Sequence, residues 1–184
     1  HAAEDDKVKT PKKLFDLYLK SVGRGANLLL NVPPDRRGLI HENDSASLIG
    51  FRKLVSENFG KNLAGSARAY FIPHIGRRSA PRLTDRKINS FEKITQPDLQ
   101  KIEIDFRKPQ KINCIVLKEF LKDGQRCKRF SLLLSNNKYQ LLKDISGTTI
   151  GNKRIITFPA VEVSKISLSI KDQKAATAIS EIEV

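Results

Sequence analysis

The sequence contains no methionine, no tryptophan, only two cysteines, and 7% aromatic residues. Without a methionine the start codon is not represented, so His1 is expected to be an internal position exposed by processing or trimming. No run approaches the roughly 18 to 20 apolar residues needed to cross a bilayer, and no basic stretch leads into an apolar core with a cleavage site. The chain as given therefore carries no readable address. Lipase-type Gly-x-Ser-x-Gly, Walker and dinucleotide glycine patterns are missing. Gly23-Arg-Gly25 is a fragment of one at most, and it precedes an apolar run instead of opening a helix, the reverse of what phosphate cradling requires. The three histidines are scattered, with His41 in a polar loop and His74 within Phe71-Ile-Pro-His-Ile-Gly-Arg-Arg78, so no metal centre is expected of them.

Cys114 and Cys127 have the wrong spacing for a closed zinc site. If they lay on neighbouring strands about a turn near Asp123-Gly124, Cys114 would face a residue near 132. Bridging needs Cα atoms within about 7 Å, so two buried, inert thiols are expected.

What is present is an ordinary globular composition of 184 residues, 39% hydrophobic and 29% charged, with a net charge of +14. The excess is uneven: residues 1–64 hold 11 Lys/Arg against 8 Asp/Glu, and residues 65–184 hold 23 against 12. Nucleic-acid binders concentrate such charge in a patch, often with stacking aromatics. Here the lysines are spread through strands and turns beside acidic neighbours, which argues against nucleic acid and leaves attraction to anionic glycans as the use of that field.

The pattern changes period along the chain. Thr10 before Pro11 is an N-cap with proline at the first helical position, and Leu14, Phe15, Tyr18, Leu19 and Val22 recur at helical spacing up to Gly23 and Gly25. Ala26 to Val32 is an apolar run broken only by Asn27 and Asn31, expected as a strand buried on both faces. Asn43-Asp44-Ser45 announces a second helix carrying Leu48, Phe51, Leu54, Val55 and Phe59, with Gly60 as its stop. This is one αβα repeat whose single strand has no parallel neighbour, so the rest of its sheet is expected outside these residues. After a junction at residues 60–66 the period becomes two. Ile102–Phe106, Ile112–Leu117, Phe130–Leu134, Ile155–Phe158, Ile166–Ile170 and Ile179–Val184 alternate between turn signals, predicting an antiparallel β-sandwich without long helices.

Two groups of motifs carry a family resemblance. Ser21-Val22-Gly23-Arg24-Gly25, then Leu28-Leu29-Leu30-Asn31-Val32-Pro33-Pro34-Asp35 and Gly38, resemble the last turn of the catalytic barrel of glycoside hydrolase family 29 α-L-fucosidases. Ile104-Asp105-Phe106 with Lys108-Pro109, the stretch Leu117 to Arg126 leading into Phe130, and Gly147 to Arg154 resemble the discoidin-type (F5/8 type C), galactose-binding-like sandwich that follows the barrel in many bacterial members. The resemblance implies α/β followed by all-β: residues 1–60 as the C-terminal αβα piece of a (β/α)8 TIM barrel, and residues 61–184 as a galactose-binding-like jelly roll.

The resemblance further implies a retaining glycosidase that releases terminal α-linked fucose from glycans, needs no metal or organic cofactor, and works outside the cytoplasm, in extracellular or periplasmic space. Such enzymes use two carboxyl groups about 5 to 5.5 Å apart. Both precede the matched part, so no catalytic residue is assigned and this chain alone is expected to be inactive, its partner being the remainder of the barrel in the same polypeptide or a separate chain. Glu4, Asp5 and Asp6 fall near the C-terminal end of the preceding barrel strand, where barrel active sites are built, or form a solvated acidic run before the helix, the reading favoured here. Asn31 and Asp35 are barrel-face candidates, and Asn31 either lines a sugar pocket or hydrogen-bonds a neighbouring loop, with the structural role favoured. The carbohydrate-binding candidates are His74, Arg77, Arg78, Phe91, Gln125 and Arg126. The segment Leu83-Thr84-Asp85-Arg86-Lys87 to Phe91 departs from the family's tryptophan-bearing pattern, so a lectin-like module and a packing domain that braces the barrel both stand as readings.

Overall fold

The computed structural model describes residues 7–138 and 140–184. Glu4, Asp5 and Asp6 lie outside the described residues. The chain divides into two compact units, His1–Lys61 and Asn62–Val184.

In the first unit, helix α1 spans Pro11–Lys20, and the Thr10 hydroxyl accepts from the Lys13 amide at 3.3 Å as the sequence pattern requires. A 3-10 turn, Val22–Arg24, follows and closes on Gly25 at φ 83°, a left-handed conformation that glycine adopts without penalty. Helix α2 spans Glu42–Phe59. Its N-cap is His41, just ahead of the Asn43-Asp44-Ser45 signal, and the imidazole Nδ1 accepts from the Asn43 amide at 3.2 Å. The helices pack through an aromatic cluster in which Tyr18 meets Phe51 and Phe59 at centroid distances of 6.0 and 5.9 Å. Gly50 permits the close approach, since a Cβ there would lie 2.6 Å from the Pro11 ring.

The expected strand at Ala26 to Val32 does not form a ladder. Residues 26–34 carry no strand assignment, and Leu29 is 95% exposed. The physical reason is that a strand is defined by its neighbours, and among the described residues no strand pairs with this segment. Leu14 is the one buried apolar side chain longer than glycine among the described residues of this unit.

The second unit is an antiparallel sheet of eight strands: β1 Arg68–Ile72, β2 Arg78–Ser79, β3 Glu92–Ile94, β4 Lys101–Glu119, β5 Cys127–Ser135, β6 Leu141–Gly147, β7 Arg154–Gln173 and β8 Thr177–Glu183. The hydrogen-bonded order is β2-β1-β4-β7-β5-β6, with β8 pairing both β4 and β3. Segments 102–106 and 112–117, two strands in sequence, are halves of β4, and 155–158 and 166–170 are halves of β7. Register shifts between Asp105 and Gln110 and between Ile112 and Cys114 bend the β4/β7 pair, so that one half of β4 pairs β1 and the other half pairs β8.

The alternating residues Ile102, Ile104, Phe106, Leu132, Leu134, Ile166, Leu168 and Ile170 form one core with Leu83, Ile94, Ile179 and Ile182. The N- and C-terminal ends of this unit are joined: Asn62 Oδ1 accepts from the Ala64 and Val184 amides, each at 3.0 Å, and the Leu63 amide donates to the Val184 carbonyl at 2.6 Å. Both cysteines are buried and unbridged. Because β7 lies between β4 and β5, no β4–β5 hairpin exists, and Cys114 pairs with Thr157 instead of a residue near 132.

Candidate functional site

The sequence-selected polar residues of the second unit divide into two groups. His74 lies exposed in the turn between β1 and β2. Arg77 and Arg78, from the same hairpin, are engaged by carboxylates and rings. Arg77 donates to Glu103 at 2.8 Å and Asp105 at 3.3 Å, with its guanidinium carbon 3.4 Å from the Tyr70 ring centroid. Arg78 forms a two-pronged pair with Glu92 at 2.5 and 3.1 Å and lies 4.5 Å from the Phe71 centroid. The Glu92 carboxylate raises the Arg78 pKa above its ordinary value. These arginines tie the β1–β2 hairpin to β4 and β3.

The second group surrounds the loop between β4 and β5. Phe91 stacks on Phe120 with centroids 4.5 Å apart and an interplanar angle of 22°, and both rings are half-buried. Gln125 and Arg126, also half-buried, follow Phe120 in that loop. The loop is pinned by Glu119, only 3% exposed: its Oε1 accepts from the Arg126 and Cys127 amides at 2.6 and 3.0 Å, and its Oε2 from the Gly151 amide at 3.1 Å. The Gln125 side-chain amide donates to the Cys127 carbonyl within the same loop. A half-buried stacked aromatic pair is chemically suited to a sugar, whose apolar face stacks on a ring. Sequence reasoning singled out Phe91, Gln125 and Arg126 as candidates and passed over Phe120 and Glu119, although both stand inside the quoted 117–126 stretch. The signal was a glutamate alternating onto the core face of an otherwise apolar strand end.

A third group joins the loop before β3 to β8. The Ser90 hydroxyl lies 2.8 and 2.9 Å from the two Asp85 carboxylate oxygens, 2.9 Å from the Lys87 carbonyl and 3.4 Å from the Arg82 carbonyl. Glu181, 2% exposed, accepts from the Arg86 amide at 3.0 Å through Oε2, while its buried Oε1 has no partner. Burial pushes the Glu181 carboxyl up to about 7. Arg86 itself takes φ 61°, an uncommon conformation for a residue with a side chain.

In the first unit, Asp35 organises its own loop. Its carboxylate accepts from the Arg37 and Leu39 amides at 2.7 and 3.2 Å and from the Arg37 guanidinium at 2.6 and 2.8 Å. The side-chain hydrogen bond from Arg37 holds the Asp35 carboxyl below its ordinary value. Gly38 at φ 77° closes the turn. Asn31 is exposed and lines a cavity of about 130 Å³ together with Leu14, Leu30 and Ser47. Among the described residues no group of three or more His, Cys, Asp or Glu side chains gathers as a metal centre would, and no helix is long and apolar enough to cross a membrane.

No protein-family model matches the chain. Alpha-L-fucosidase 1 of Arabidopsis thaliana is 32% identical over 183 residues, covering 96% of this chain and 36% of that protein. A glycoside hydrolase 29 family member from an unknown rumen bacterium superposes with a TM-score of 0.74 at 36% identity, over 100% of this chain and 30% of that one. A Ruminococcus gnavus GH29 fucosidase solved in complex with fucose gives 0.81 at 26% identity, over 96% of this chain and 36% of its own. The homologues of this chain are thus α-L-fucosidases, and the chain spans about a third of the length of the curated relatives it matches.

Proposed function

We propose that the chain is the C-terminal portion of an α-L-fucosidase: the last helix–strand–helix of a (β/α)8 barrel followed by a galactose-binding-like β-sandwich. The observation that carries this reading is a likeness to fucosidases over 96% of this chain but only 36% of the Arabidopsis relative. The unpaired segment 26–34 supports it, because an apolar run with an exposed backbone is what remains when a parallel sheet is supplied by other residues. In the intact enzyme the two catalytic carboxylates stand on the barrel part that these residues do not include, and fucose leaves with net retention of configuration. The setting is extracellular or periplasmic, the substrates are fucosylated glycans, and no cofactor takes part in the chemistry.

The second unit serves as a carbohydrate-binding module in this reading, with the Phe91–Phe120 stack and the Gln125–Arg126 loop as its contact. Anionic glycans are favoured by its excess of 23 Lys/Arg over 12 Asp/Glu in residues 65–184. The test pairs two proteins: the 184-residue chain, and a polypeptide extended N-terminally by the missing barrel, about 200 residues. Both are assayed on an aryl α-L-fucoside, with the anomer of the first product followed by NMR. The extended protein is expected to turn over and release the α-anomer first, while the 184-residue chain stays inert. Turnover by the short chain, or an inert but folded long one, overturns the proposal.

A further inference from the structure

Strand register gathers hydroxyls on one outward face of the second unit. In β5 the side chains of Phe130, Leu132 and Leu134 lie in the core, so Ser131 points out. Directly opposite residues of antiparallel strands share a face, and Ser131 stands opposite Ser146 of β6 and Ser169 of β7. Leu133, next on that face, stands opposite Asp144 and Ser167. Beyond Ser131 the ladder bulges: Arg129 pairs with Asp172 and Phe130 with Ile170, which leaves Lys171 as an extra residue with its side chain re-aimed. Arg129, Ser131, Asp144, Ser146, Thr148 and Lys171 line one cavity of about 490 Å³, a size within the range of small-ligand sites. None of them belongs to the Phe91–Phe120 contact.

Little of this hydrogen-bonding capacity is used within the chain. The Ser131 hydroxyl reaches Asp144 only at 3.4 Å, and the hydroxyls of Ser146 and Thr148 have no partner among the described residues. Ser169, beside Ser131, is only 5% exposed and its hydroxyl is likewise unpartnered among them. Groups so placed bind water, and a ligand gains where its own hydroxyls reproduce those hydrogen bonds. The charges are balanced: Lys171 lies 2.7 Å from Asp98, and Lys128 and Arg129 lie 3.3 and 3.8 Å from Asp172, with Asp144 in the lining. Three cations against three carboxylates give donors and acceptors without a net pull on an anion. We infer that this face is a subsite for a neutral, polyhydroxylated ligand, a saccharide, separate from the stacked aromatic pair. Asp144 accepts from ligand hydroxyls, Arg129 donates to them, and Ser131, Ser146 and Thr148 do either. The one ring in the lining, Phe130, is 1% exposed, so recognition rests on hydrogen bonds and the affinity is low. The groups come from three strands that only their register brings together, which is why sequence spacing gave no sign of them. The inference concerns the second unit alone and does not depend on the barrel.

The test titrates the whole 184-residue chain, isotope-labelled, with fucosyllactose as a neutral probe and sulfated lactose as an anionic one, and follows backbone amide shifts by NMR. The expected result is saturable shifts at residues 129–131, 144–148 and 171 with the neutral probe, with Kd on the order of 1 mM, and no tighter binding of the sulfated one. Asp144→Ala, on an exposed edge strand, is expected to weaken that binding at least about tenfold, since it removes a charged acceptor. Ser146→Val, which replaces a hydroxyl with apolar bulk, serves as the second variant should the first fail to fold. Absence of shifts at these residues with about 20 mM fucosyllactose, tighter binding of the sulfated probe there, or undiminished binding in the folded variants overturns the subsite. Shifts confined to Phe91 and residues 120–126 overturn it as well, while leaving the carbohydrate-binding module of the proposed function standing.

Discussion

Single residues in the second unit carry consequences that their neighbours impose. Gly147 of β6 stands opposite Phe130 of β5, and a Cβ there would come within 2.3 Å of the ring, which is 1% exposed and cannot move outward without opening the core. Gly147→Val is therefore expected to destabilise the second unit by about 1–3 kcal/mol. A denaturant midpoint that drops with an unchanged slope would show it, whereas an unchanged midpoint would mean that the ring has room. The thiols follow a similar logic. Burial pushes Cys114 up to about 11 and Cys127 to about 12 from an ordinary 9.0, so the folded protein holds both protons more tightly than the unfolded chain. Their contribution is complete below pH 9 and is lost as pH rises through about 9 to 12. Native protein at pH 8 should leave both thiols unreacted with a disulfide reagent while unfolded protein yields two. Alkaline loss of stability should be shallower in Cys127→Ala than in wild type; equal slopes would show that this thiol contributes nothing to it.

At the scale of elements, legibility followed how local the determining forces are. Helix α1 was readable because its cap, its proline and its apolar spacing all lie within about ten residues, and the Thr10 to Lys13 hydrogen bond forms as those signals require. The alternating halves of β4 and β7 were readable as strands, but their fusion across bulges was not, because it depends on partners in β1, β5 and β8 that sequence spacing does not reveal. Short strands failed for the opposite reason: β2 has two residues and β3 three, too few for a period to show. The site divides along the same line. Phe91, Gln125 and Arg126 announced themselves as aromatic and polar loop residues, while Phe120 and Glu181 acquire meaning only from the ring and loop placed against them. Segment 26–34 shows how little a pattern decides by itself: its sequence reads as a buried strand, yet Leu29 stands 95% exposed because no described residue pairs with the segment. Limited proteolysis of the 184-residue chain should accordingly cut first within residues 26–40. Protection there equal to that of β4 would mean the segment has found a partner, such as a second copy.

For the whole molecule, the two units differ in how much they can hold together unaided. The second has an uninterrupted core from Ala64 to Val184 and joins its own ends through Asn62, so it meets the requirements of an independent domain. The first has an aromatic seam between two helices but buries few apolar side chains among its described residues. Two helices with so small an interior are marginal in water, since most helical stability comes from tertiary packing of the apolar face. Residues 62–184 expressed alone should therefore fold, with the same sheet signature and melting temperature as in the longer chain. Replacing Asn62 by Ala should cost that domain roughly 1 kcal/mol, the usual worth of a cap that also ties a distant amide. Residues 1–61 alone should show little cooperative structure and, under the proposed function, should gain it in a polypeptide extended N-terminally by a barrel. A cooperative transition in the isolated first unit would instead mark it as a helical hairpin domain in its own right, and would remove the strongest physical reason for expecting a barrel around it.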